Sequence, residues 1–166
     1  PKDDMINKLD NSNNEIASQI FTVFQTSYKV EAELIGTVNF PPLSRSVIDI
    51  ESSNTHFYGF TENTCLAAVI EITIKDNQLE IHSLTVAPSY FRKGIADKLL
   101  NFILSRFEFS KAIVETAIVN EPAIRLYNKH GFIKFKQWVP SHGIEKIALS
   151  IEHNELKINK KMLTSF

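Results

Sequence analysis

The stretch LTVAPSYFRKGIADKLL, residues 84–100, runs from a short apolar segment through a turn into a helical pattern, with Arg92, Lys93 and Gly94 where the helix begins. A helix start exposes backbone N–H groups and the positive end of the helix dipole, so two cations there are unfavourable unless an anion is bound. Gly94 lets a ligand approach the backbone closely. The stretch therefore predicts an anion site of the kind a phosphate fills, at a strand-to-helix junction.

Outward from this junction, periodicity assigns the remaining elements. Upstream, HFYGF, CLAAVIEITI and LEIHSLTV are strand-like runs separated by TENT and KDNQ, which read as hairpin turns of an antiparallel meander. Earlier still, MINKL is strand-like, and the spacing Ser12-x-x-Glu15 predicts a capping box. Ile16, Ile20, Val23, Phe24, Val30 and Leu34 follow at helical intervals up to Gly36. NFPPL (39–43) predicts an extended break and SRSVIDIES (44–52) a shorter helix. Downstream, Ile95, Leu99, Phe102, Ile103 and Phe107 repeat at helical spacing and KAIVETAIV (111–119) returns to strand. Pro122 opens a helix that Gly131 ends, and GFIKFKQWV and IEKIALSI close as strands. The order predicts a mixed α/β layered domain over residues 1–166.

Composition excludes several classes. With 43% hydrophobic residues, 22% charged residues and a net charge of −1, nothing draws the chain as a whole to nucleic acid or a membrane, so any basic site must be local. The basic tail KINKKML (157–163) reads as a solvated end. The single cysteine, Cys65, cannot form an internal disulfide, and no apolar run is long enough to span a bilayer, so the expected compartment is the cytoplasm. Histidines 56, 82, 130, 142 and 153 show no metal-ligand spacing, and no metal is expected.

Two motifs then carry a family resemblance. LTV followed by FRKGIA (91–96) matches an L-x-V strand leading into a [Q/R]-x-x-G-x-[G/A] loop, and NEPAIRLYNKHGF supplies Asn120, Ala123, Tyr127, Gly131 and Phe132 of N-x-x-A-x-x-x-Y-x-x-x-G-F. From Leu79 to about Phe132 the chain resembles the GNAT superfamily of acyl-CoA-dependent N-acetyltransferases. That resemblance implies an α/β fold with a mixed, mostly antiparallel central sheet flanked by helices. It also implies acetyl-CoA as cosubstrate and an amine as acceptor. Phe91 departs from the pattern, standing where the family usually has Gln or Arg. The loop grips a pyrophosphate mainly through backbone N–H groups, so Gly94, Ile95 and Ala96 can still form the cradle while Arg92 and Lys93 add charge.

Acetyl transfer requires a positioned thioester, a neutral amine, oxyanion stabilisation and a proton for the departing thiolate. By resemblance, Leu84, Thr85 and Val86 splay from the neighbouring strand after residue 119 and pair with the pantetheine arm, and the N–H of Val86 or one beside it faces the thioester carbonyl. Tyr127 aligns with the tyrosine that protonates the thiolate, or else it packs on the sheet. Asn120 serves as a helix cap, a pantetheine partner or both. Glu80 is the first choice for general base, since it stands at the beginning of the strand leading to the loop, where the resemblance implies a catalytic glutamate, and alternation places it on one face with His82, Leu84 and Val86; Glu71 and His82 are the runners-up.

The acceptor is a small-molecule or peptide amine, and a homodimer is left open. Its side of the site is expected from Tyr28 to Phe57 and from Trp138 to Ile144, with Phe40, Pro41, Pro42, Phe57, Tyr58 and Trp138 as an apolar wall and Glu31, Glu33, Asp49 and Glu51 attracting a cation. The alternative is an acyl-CoA-binding sensor or interaction module on the same fold, without turnover.

Overall fold

The hydrophobic period changes from 3.6 to 2 at His56, and the backbone changes with it. The structure, a computed structural model, describes residues 5–153, so the tail 157–163 lies outside the described residues. β1 (Ile6–Leu9) leads into α1 (Asn14–Ile35), a short 3-10 turn at Pro41–Ser44, and α2 (Val47–Glu51). The meander β2 (His56–Glu62), β3 (Cys65–Lys75) and β4 (Gln78–Val86) follows. The chain then runs through α3 (Ile95–Arg106), β5 (Lys111–Ala117), α4 (Glu121–Lys129), β6 (Ile133–Trp138) and β7 (Lys146–Glu152). The strands form one sheet in the order β1-β2-β3-β4-β5-β7-β6, in which only β4 and β5 run parallel. This is the mixed, mostly antiparallel sheet flanked by helices that the motifs implied.

Both meander turns have positive φ at their two central residues, Asn63 and Thr64 (50° and 65°) and Asp76 and Asn77 (53° and 62°). That geometry matches the right-handed twist of hairpin strands. α1 is not capped where the spacing predicted. The Ser12 hydroxyl donates to Asp10, and Asn13 is the cap, its side chain accepting from the Ile16 N–H at 3.2 Å. The capping box sits instead at α2, between Ser46 and Asp49. α2 is five residues long, because the prolines hold residues 41–44 in their own 3-10 turn.

Each face of the sheet has its own core. Ala17, Ile20, Val23 and Phe24 of α1 pack with Ile50, Phe57 and Val69 on one face. Ile95, Leu99, Leu100 and Ile103 of α3 pack with Tyr58, Phe60, Ile70, Ile72, Leu79 and Ile81 on the other. Each such large side chain contributes roughly 1.5–3 kcal/mol on burial. Val30 and Leu34, although on the helical repeat of α1, remain 39% and 54% exposed, whereas Ala32 between them is buried.

A buried ion pair stitches the α1 face together. Glu71 on β3 takes two hydrogen bonds from Arg45 (2.7 and 2.9 Å), one from Thr55 (2.6 Å) and one from Ser83 (3.1 Å). The guanidinium lies 5.7 Å from the Phe24 ring centre and 5.6 Å from that of Phe57. Burial alone would raise the Glu71 pKa, but these donors and the Arg45 charge hold it below the usual carboxylate value of 4.5.

A depressed native pKa gives stability that is present above pH 4.5 and lost as pH falls through the native value. In urea titrations, Arg45→Met should cost about 3–5 kcal/mol at neutral pH, since it leaves a buried carboxylate uncompensated. Arg45→Met with Glu71→Leu should recover most of that loss. Glu71→Gln should flatten the decline in stability toward acid pH.

Candidate active site

The β4–β5 ladder ends halfway along both strands. Gln78–Ile81 pair with Lys111–Val114, after which β4 runs on to Val86 against β3 and β5 to Ala117 against β7. The wedge thus opens at Ile81 and Val114, earlier than the expected opening after residue 119. The cause lies in β4. The β3–β4 register shifts between Glu71, opposite Ser83, and Ile72, opposite Ile81, so that His82 has no counterpart. Such a bulge bends its strand and increases the local twist.

The bulge also reverses the alternation. Leu79 and Ile81 belong to the α3-side core, and Leu84 and Val86 pack against that same core. Glu80 therefore lies on the opposite face from Leu84 and Val86, not beside them as uninterrupted alternation predicted. The Ala87 N–H donates to the Ala67 carbonyl at 2.8 Å, so Thr85 and Ala87 turn their backbone groups to β3 while Leu84 and Val86 turn theirs to the wedge. An extended, amide-bearing ligand can pair with such an edge as an added strand. Thr85 is no part of that edge, since its side chain is buried and its hydroxyl donates to the Val69 carbonyl at 3.4 Å.

Past the wedge, a 3-10 turn at Pro88–Tyr90 leads through Phe91 and Arg92 to α3. Arg92 and Gly94 both take left-handed backbone conformations, with φ of 63° and 73°. Gly94 is the N-cap of α3 and supplies no side-chain acceptor to the first N–H groups. A Cβ built on Gly94 meets nothing within 4 Å, so the space before the helix start is open. Ile95 anchors that start in the core and Ala96 is half-buried. Lys93 lies 3.9 Å from Glu62, whereas Arg92 is exposed and has no ion pair among the described residues. Phe91, 42% exposed, holds no hydrogen bond that would replace the usual polar side chain. The acidic residue of the first turn, Asp97, is bound by Lys129 (3.0 Å) and His130 (2.8 Å) of α4, which hold it below its usual pKa and offset its charge at the helix start.

α4 stands on the other side of the wedge. Asn120 caps it, accepting from the Ala123 N–H at 3.4 Å, while its amide donates to Glu31 of α1 at 3.2 Å. Tyr127 is 4% exposed and packs edge-on to Phe132 at 5.5 Å; its carbonyl accepts the Phe132 N–H at 3.0 Å. The Tyr127 hydroxyl makes no hydrogen bond to a described residue, and the side chain lines a cavity of about 280 Å³ between the splayed strands and α1. Burial raises the Tyr127 pKa, and the negative charge of Glu31 and the neighbouring Tyr28 raise it further, so the phenol keeps its proton.

The cavity joins residues far apart in sequence. Leu84, Asn120, Ala123 and Tyr127 form one side, Tyr28, Glu31 and Phe40–Pro42 another, and His142, Ile144 and Lys146 a third. The expected acceptor wall is thus met by Phe40, Pro41 and Pro42. Phe57 and Tyr58 are core residues, and Trp138 lies under the Lys136 and Lys146 ammonium groups instead. Of the four acids singled out, Glu31 alone reaches the cavity; Glu33 is exposed, Asp49 belongs to the α2 capping box and Glu51 accepts from Asn14.

Glu80 is exposed and does not line the cavity, and Glu71 is fully engaged with Arg45, Thr55 and Ser83. His82 does line it, its ring bonded to the Thr73 hydroxyl at 2.8 Å. Glu115 and Lys146, a pair at 3.8 Å, also line it; no local sequence pattern marks them, because only the β5–β7 register brings them together. Among the described residues no three His, Cys, Asp or Glu side chains group as metal ligands, and no helix is long and apolar enough to cross a membrane.

Comparison with known proteins agrees with this geometry. The structure superposes on the crystal structure of the ribosomal-protein-S18-alanine N-acetyltransferase from Escherichia coli with a TM-score of 0.70 at 18% identity, covering 90% of this chain and 96% of that one. For the PaiA N-acetyltransferase from Thermoplasma acidophilum, solved in complex with coenzyme A, the TM-score is 0.69 at 19% identity, with 89% and 98% covered. In sequence, the chain is 36% identical over 150 residues to the UPF0157 protein YqkA of Bacillus subtilis, matching 90% of this chain but only 43% of that relative's length. The family model for GNAT acetyltransferases matches residues 14–132. With that match spanning most of the chain, over a sheet opened between β4 and β5, the chain belongs to the acetyltransferase (GNAT) family.

Proposed function

We propose that the protein transfers an acetyl group from acetyl-CoA to a primary amine, by direct attack of the amine on the thioester. The observation that carries this reading is the wedge itself, where Leu84 on the free backbone edge and Tyr127 of α4 line the same cavity. The residues fit the cosubstrate. Unobstructed space before Gly94, left-handed turns at Arg92 and Gly94, and two cations suit a pyrophosphate, and Leu84 and Val86 suit an amide-bearing arm.

Acetyl-CoA supplies an activated acyl group on a thiol leaving group. The chain supplies the rest. The Val86 N–H stabilises the negative charge that develops on the carbonyl oxygen. The amine attacks as the neutral free base, having first lost its ammonium proton to solvent; Tyr127, kept protonated by burial and by Glu31, donates its proton to the departing sulfur and regains one from the acylated nitrogen. Asn120 holds α4, and with it Tyr127, in place against α1.

Coenzyme A at about a hundred times its dissociation constant should stabilise the fold by roughly 2.7 kcal/mol, several degrees in a thermal melt. No shift at millimolar coenzyme A would overturn the reading. Gly94→Trp should abolish most of that shift by filling the space before α3, while the left-handed backbone makes the unliganded variant about 1–2 kcal/mol less stable. Tyr127→Phe should leave coenzyme A binding intact and lower kcat about a hundredfold to ten-thousandfold in a thiol-release assay over a panel of amines. Normal turnover with reduced stability would assign Tyr127 to packing alone. Coenzyme A binding with no thiol release from acetyl-CoA would favour a sensor.

A further inference from the structure

Two carboxylates lie on the α1 face, Glu71 buried and Glu31 half-buried, and their surroundings differ. Glu71 is surrounded by four donated hydrogen bonds, two of them from an arginine. Glu31 accepts a single hydrogen bond, from the neutral amide of Asn120, and forms no ion pair among the described residues. The nearest cation on the cavity wall, Lys146, is engaged by Glu115 at 3.8 Å. Burial pushes the Glu31 pKa up, only partly offset by Asn120 and by Lys146 at longer range. A carboxylate partly withdrawn from water and short of donors is left under-solvated unless something completes its shell. What adjoins Glu31 is the cavity, with the Tyr28 and Phe40 rings on one side and Tyr127 on the other.

We propose that Glu31 is the specificity-determining residue for the acceptor, receiving the ammonium group of a primary amine against the Tyr28 and Phe40 wall and so selecting cationic amines over neutral molecules of the same shape. The inference rests on the acetyl-transfer reading for what happens next, but not for binding. Its geometry links the two halves of the site. The Asn120 side chain that touches Glu31 also caps the helix carrying Tyr127, so a cation seated on Glu31 is held beside the wedge. An aromatic wall beside a carboxylate suits an ammonium on an apolar stem, because the ring faces attract the cation while the stem leaves water.

The test is equilibrium binding by calorimetry and by ring-proton shifts of the tyrosines, with n-butylamine, phenethylamine and cadaverine as probes and n-butanol and phenethyl alcohol as neutral controls. Each is titrated into the protein alone and into the coenzyme A-saturated protein. At least one amine should bind saturably and perturb tyrosine resonances, and its alcohol counterpart should not. Glu31→Gln keeps the acceptor atom for Asn120 and should fold with an unchanged or higher melting temperature, yet bind the amine roughly ten- to a hundredfold more weakly, the worth of a hydrogen bond to a charged group. Glu31→Asp should fall between. Amine affinity equal in wild type and Glu31→Gln, equal affinity for amine and alcohol, or no binding of any probe to either form would overturn the assignment. Failure of coenzyme A to bind would instead strike the acetyl-transfer reading, and the amine titration of the protein alone would still decide the role of Glu31.

Discussion

The site depends on the point at which β4 stops pairing with β5. A continuous parallel ladder would use the backbone groups of both strands along their length and leave no opening between them. The bulge at His82 prevents this, bending β4 just after its last pair at Ile81. β3 and β7 continue to hold β4 and β5 from their outer sides, so the wedge is braced rather than frayed. The same bulge sends Leu84 and Val86 into the α3-side core and leaves Ser83 to donate to Glu71 on the α1 side. One inserted residue thus creates the open edge and fixes what lies on each side of it.

The elements around the wedge are tied to one another by polar contacts. Asp97 at the start of α3 is held by Lys129 and His130 at the end of α4. Asn120 at the start of α4 reaches Glu31 on α1, and Arg45, just after the 3-10 turn, reaches Glu71 on β3. The apolar cores hold helices to the sheet without specifying their exact placement, whereas a hydrogen bond about 3 Å long is directional. These contacts therefore set the position of the helix start and of the tyrosine relative to the wedge.

Negative charge within the cavity has a chemical consequence. Tyr28 and Tyr127 both flank Glu31, and its charge together with their burial raises both phenol pKa values. A tyrosine that remains protonated is a donor at neutral pH, the state the proposed reaction needs next to a departing sulfur. If a cation occupies Glu31, part of that field is cancelled and the phenol becomes a somewhat stronger acid, so acceptor binding and proton donation are electrostatically coupled.

Features written in local chemistry were legible in the sequence. The turn residues of TENT and KDNQ, the glycine before α3, the proline in the first turn of α4 and the repeats of α1 and α3 each act within a few residues, and the elements follow them. The helix cap was displaced by one residue because Ser12 found a nearer partner in Asp10. The loop and Tyr127 could be named because their motifs are contiguous. The tertiary structure decided what depends on register and on distant partners. Alternation along β4 does not reveal a bulge whose evidence lies in its pairing with β3, and that bulge puts Glu80 on the opposite face from Leu84 and Val86. Four acids in the first third of the chain looked alike, and only the approach of α1 to Asn120, 89 positions away in sequence, distinguished Glu31 as the one at the cavity. Sequence determines what a residue can do chemically, whereas burial and partners, which come from segments far along the chain, determine which of those capacities it has in the folded protein.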